Sequence, residues 1–87
     1  MKVTKIDNIS LRESPVRYRR VYDAHAVIAH AGSAEERLGI EIAVEDTPHQ
    51  GSVISVRFVD QPDYPVMPAT RVVVEYLEAL KARGEFD

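Results

Sequence analysis

In VYDAHAVIAH, residues 21–30, Asp23, His25 and His30 fall within eight positions. Carboxylate and imidazole are common ligands for zinc and related divalent ions, and imidazole also moves protons near neutral pH. Whether the three converge depends on the backbone beneath them. Apolar residues here recur at every second position, which is the period of a strand. Asp23 and His25, two apart, then share a face, while His30 points to the other side. The D-x-H-x4-H spacing therefore does not close on one ion. A second grouping does survive. When the turns are centred, Asp23 stands opposite Glu45 and His25 opposite Ala43, with Asp46 and His49 in the following loop. Facing carboxylates repel each other and favour a cation or a shared proton. Asp23, His25, Glu45 and His49 are therefore the candidate metal ligands.

The run RYRRVY, 17–22, interleaves Arg17, Arg19 and Arg20 with Tyr18 and Tyr22. Arginine beside an aromatic ring can grip phosphate and stack on bases. Strand alternation divides this set between two faces, with Arg17 and Arg19 projecting together and the tyrosines capping the core. The net charge of −3 also opposes a general nucleic-acid binder. Nucleophilic catalysis has little to work with. Ser10, Ser14, Ser33, Ser52 and Ser55 lie outside any G-x-S-x-G elbow, and Gly32, Gly39, Gly51 and Gly84 are scattered. No cofactor motif is present. The absence of cysteine excludes disulfides and thiolate metal sites.

The elements that must position these groups follow from the hydrophobic pattern. The 87 residues suit one small domain with a modest core, which a second subunit would help to stabilise. Residues 1–15 read as an arm or short strand (Val3, Ile6, Ile9) followed by the linker LRESP, since Pro15 disfavours ladder pairing. Residues 16–60 read as a β-meander. Its first strand runs from Val16 to Ala31 and turns around Gly32 and Ser33. The second, 37–45, alternates Leu38, Ile40, Ile42 and Val44 with Arg37, Glu41 and Glu45. The loop DTPHQG leads to the third, 52–60, with Ile54, Val56 and Phe58 facing inward. Residues 61–68 hold three prolines and form a stiff crossover. From 68 to 84 the period becomes helical. Ala69, Val73, Tyr76, Leu77 and Leu80 form one stripe, Pro68 sits in the first turn and Gly84 follows the last.

The expected fold is α+β: a three- or four-stranded antiparallel sheet with one C-terminal helix packed on one face. The centred register layers Ile28–Ile40–Phe58, Ala26–Ile42–Val56 and Ala24–Val44–Ile54 beneath the helix, and sets Glu41 beside Arg57 outside. The outer face then carries Val21, Val27, Ala29, Gly39, Ala43, Val53, Ser55 and Val59. That is more apolar than a fully wetted sheet face should be. It reads as a contact surface for a second copy of the chain or for another protein, at sheet-packing distance. The sequence therefore points to a non-enzymatic interaction or assembly domain in the cytoplasm. A metal-binding protein using Asp23, His25, Glu45 and His49, or a nucleic-acid module using Arg17, Arg19 and Arg20, is the alternative. No apolar run is long enough to span a bilayer. The layout of IEIAVED (40–46) through FVDQPDYPVMPATRVVVEYLEAL (58–80) is similar to the strand–turn–strand–proline–helix arrangement of FlaG-type flagellar proteins. The proline-rich insertion departs from that arrangement, and the resemblance implies no function.

Overall fold

The structure is a computed structural model that describes residues 1–12, 16–32 and 34–87. The linker positions Glu13, Ser14 and Pro15 and the turn residue Ser33 lie outside the described residues. Four strands, β1 (Lys2–Arg12), β2 (Arg19–Ala29), β3 (Glu36–Thr47) and β4 (Gly51–Phe58), precede one helix, α1 (Val66–Ala82). All neighbouring strands are antiparallel, and the sheet order is β1-β2-β3-β4. The α+β architecture expected from the hydrophobic pattern is the one observed, with four strands.

The N-terminal segment is a full edge strand and not an arm. Its period is hidden because the β1–β2 register shifts twice, between Val3 and Lys5 and between Asp7 and Ser10. Asn8, at φ 53°, lies in the second shift. Asparagine tolerates this left-handed conformation better than most residues.

The β3–β4 register is the expected one, with Ile40, Ile42 and Val44 opposite Phe58, Val56 and Ile54. The β2–β3 register differs. Ile28 pairs with Glu36, Ala26 with Leu38, Ala24 with Ile40 and Tyr22 with Ile42. Each β2 residue thus meets a β3 residue four positions earlier than centring the turn predicts. The ladder folds about Gly32, at φ 78°, and not about the middle of HAGSAEE. A shift of four keeps every side chain on its expected face, so the inner and outer assignments hold while the pairings change.

Ala24, Ala26, Ile28, Leu38, Ile40, Ile42, Val44 and Ile54 line the inner face and are buried beneath Val73, Leu77 and Leu80 of α1. The helix backbone lies closest to the edge strands β4 and β1. A twisted sheet curves around its helix in this way, and the side chains of the central strands fill the space between. The helix begins at Val66, two residues before Pro68, with Pro65 as its N-cap. Pro68 falls in the first turn, where its missing N–H is no loss.

The C-terminus of the helix closes as its sequence demands. Gly84 N–H donates to Lys81 O (3.0 Å) and Glu85 N–H to Leu80 O (2.8 Å), with Gly84 at φ 75°. This pair of bonds is a Schellman motif, and the glycine supplies its left-handed residue. The turn sends the chain back onto the sheet. Phe86 is buried against Tyr22, with ring centroids 5.1 Å apart. The Asp87 carboxylate accepts from Arg20 Nε (2.7 Å), Arg20 Nη2 (2.6 Å) and the Tyr22 hydroxyl (2.6 Å). These bonds hold its pKa down at about 2.

Candidate interaction surface

The side of the sheet away from α1 is a set of cross-strand rows. Lys5, Val27 and Arg37 form one row; Asp7, His25 and Gly39 form the next. Then come Ser10, Asp23, Glu41 and Arg57; Arg12, Val21, Ala43 and Ser55; and finally Arg19, Glu45 and Val53. The first residue of four of these rows comes from β1. Its Lys5, Asp7 and Arg12 bring charge onto a face that reads as apolar from three strands alone.

These charges pair across strands. Arg12 bonds to Asp23 and lies 3.0 Å from Glu41, and Arg57 reaches Glu41 at 3.1 Å. Hydrogen bonds from Arg57 and Arg12 hold the Glu41 carboxyl below the usual range. Arg37 and Lys5 converge on Asp7, whose carboxyl is lowered chiefly by the Arg37 hydrogen bond. Among these long side chains Val21, Val27 and Ala43 are only 8–9% exposed. Arginine and lysine stems cover apolar surface while their heads stay in water.

The seven residues expected to form a contact surface therefore divide. Val21, Val27 and Ala43 are already covered, and Ala29 is half-buried. Val53, Ser55 and Val59 remain open, with Val53 40% and Val59 62% exposed. All three lie on β4 or one residue beyond it. The free part of the outer face is its β4 margin.

That margin is also a bare sheet edge. Val59 N–H donates to Gly39 O (2.8 Å), which fixes the odd-numbered residues of β4 as those bonded to β3. The main-chain groups of Ser52, Ile54 and Val56 therefore point away from the sheet. The β3–β4 ladder runs from Gly51 to Phe58 without a register shift. The opposite edge is different in kind: β1 has two shifts, Lys2, Lys5 and Arg12. Shifts and lysines are devices that keep an edge from pairing, and β4 carries neither.

The candidate metal ligands are not brought together. In the observed register Asp23 faces Glu41, His25 faces Gly39, and Glu45 faces Arg19 and Val53. Arg19 lies 3.9 Å from Glu45 and Arg12 is bonded to Asp23, so each carboxylate meets an arginine. His49 is exposed in the β3–β4 turn. Among the described residues no group of three or more histidines and carboxylates could hold a metal ion. The four-residue change of register separates the set. His25 Nδ1 is shielded from solvent without a hydrogen-bond partner, beside Asp7 and Gly39. His30 stacks on Tyr64, with centroids 5.2 Å apart and planes 4° from parallel.

The arginines of RYRRVY separate too. Arg19 is on the outer face, whereas Arg20 lies among Asp46, Asp87 and Tyr22 at the C-terminal clamp. Arg17 and Tyr18 are exposed in the turn before β2. No helix among the described residues is long and apolar enough to cross a membrane.

The sequence matches one family model, that of the BB-0187 family, over residues 1–81. The chain belongs to that family. The match takes in all four strands and nearly the whole helix, and it ends before the Phe86–Asp87 clamp. Membership brings no activity, ligand or partner with it. No curated protein and no solved structure matches the chain.

Proposed function

We propose that this family member is a non-enzymatic interaction and assembly module, and that it works through the β4 margin of its outer sheet face. One observation carries this reading. The exposed apolar residues of the expected contact face, Val53 and Val59, gather with Ser55 at the one edge that has neither bulge nor lysine. A strand added there would meet outward-pointing main-chain groups at Ile54 and Val56. Main-chain bonds would supply affinity and the flanking side chains would supply selectivity. We infer a cytoplasmic setting, which suits a cysteine-free chain that needs no disulfides. The metal and nucleic-acid alternatives have no comparable support, since the register separates the first set and the strand faces separate the second.

A photoreactive amino acid placed at position 53 in the producing cell tests the reading. It should cross-link to a protein, while the same residue at the exposed Leu11 of β1 should not. Equal capture at both positions, or none at position 53, would count against it.

A further inference from the structure

We propose that the occupant of the β4 edge is the β4 strand of a second copy, paired antiparallel about a two-fold axis through Ser55. This rests on the reading of β4 as the contact surface. Only even-numbered residues of β4 present free main-chain groups, so hydrogen-bonded pairs across the axis must join even residues. An axis at Ser55 pairs Ile54 with Val56 of the second copy and Ser52 with Phe58. That register uses nearly the whole strand.

Both faces of this register are complementary. On the inner side, Ile54, Val56 and Phe58 continue one apolar row into the next chain, and the half-exposed Val56 and Phe58 gain an adjacent strand. On the outer side, Arg57 comes to lie opposite Val53 of the second copy, whose neighbour in the same row is Glu45. Arg57 is 70% exposed and Glu45 is 48% exposed, so both heads are free to turn toward the junction. A strand spacing near 4.8 Å puts that carboxylate about two strands from the guanidinium, within the reach of an arginine leaning over valine. An axis at Ile54 would instead face Arg57 with Gly51 and leave Phe58 unpaired.

Ser55 and its mate would form a non-hydrogen-bonded pair, with Cα atoms about 4.5 Å apart. That lies within the range a disulfide spans. Because the chain has no cysteine, Ser55→Cys adds a single thiol. Under mild oxidation it should double the 9.8 kDa mass, and Ser10→Cys on the same face should not. A mixture of Val53→Cys and Arg57→Cys should form the mixed disulfide in preference to either self-link.

Substitutions at Val53 provide a second measurement that needs no oxidation. Val53→Lys sets like charges opposite across the axis, and Val53→Glu sets opposite ones. The dimer dissociation constant should differ by roughly tenfold between them, with Val53→Glu the tighter. Within one chain the order is reversed, because position 53 lies beside Glu45, so a general effect on folding would not give this result. A wild-type protein that stays monomeric at all concentrations overturns the second copy as occupant. If position 53 still captures another protein in cells, the β4 reading stands without it. Faster linking of Val53→Cys with Ser55→Cys than of Ser55→Cys with itself overturns the register.

Discussion

Replacing Asp87 by asparagine should remove a pH-dependent part of the stability and leave the rest unchanged. The Asp87 side chain is 6% exposed, and its carboxylate receives Arg20, Tyr22 and, at 3.5 Å, Lys81. Its pKa of about 2 lies below the ordinary value of 3.8. A carboxyl whose pKa is lower in the folded state adds stability above its unfolded pKa, and that stability is lost as pH falls through the folded value. The full shift would correspond to somewhat over 2 kcal/mol at neutral pH, and screening at this rim reduces it to about 1–2 kcal/mol. Asp87→Asn should therefore unfold roughly 5–10 °C below wild type at pH 7. By linkage about half of that gap should be gone by pH 3, and nearly all below pH 2. Urea unfolding followed by circular dichroism at pH 7, 5, 4 and 3 measures it. The other carboxylates titrate in both proteins and largely cancel in the difference. Equal stability at pH 7, or a gap that does not narrow with acid, would refute the clamp as the source of the shift.

Three further outcomes follow from the packing. Leu77→Ala empties a fully buried position facing the central strands and should cost about 2–5 kcal/mol in urea unfolding. Gly84→Ala forces a side chain into the left-handed residue of the Schellman turn and should cost about 1 kcal/mol, with the same change at the exposed helical Glu78 as the near-neutral control. The coupling between Arg57 and Glu41 in a double-mutant cycle should stay below about 1 kcal/mol and shrink in 1 M salt, because Arg57 is largely in water.

Much of the fold was legible because most of its determinants are local. Leu38, Ile40, Ile42 and Val44 alternate without a break, and the Ala69–Val73–Leu77–Leu80 stripe keeps a helical period. Gly84 stands where a helix must stop. The β3–β4 register was also legible, since the loop folds symmetrically and Glu41 meets Arg57. What was illegible depended on positions where regularity is broken. Asn8 and two register shifts mask β1, and without β1 the charges of Lys5, Asp7 and Arg12 are missing from the outer face. The turn about Gly32 moves β3 by four residues against β2, and that alone separates Asp23 from Glu45. Asp87 joins Arg20 across most of the chain, a contact that no local pattern announces. The β4 edge did leave a signal: a β-branched run, Val53 to Val59, without lysine or proline. Its meaning depends on which strand lies at the edge, and only the pairing shows that.

The most direct measurement is residue-resolved amide hydrogen exchange of the purified protein across a wide concentration range. The amides of Ile54 and Val56 point away from the sheet in a single chain. Self-assembly through β4 predicts that they exchange freely in dilute solution and become protected as concentration rises, while the β1 edge does not change. Amides of Ile54 and Val56 that exchange freely at every concentration, or protection that appears at β1 instead, would contradict it.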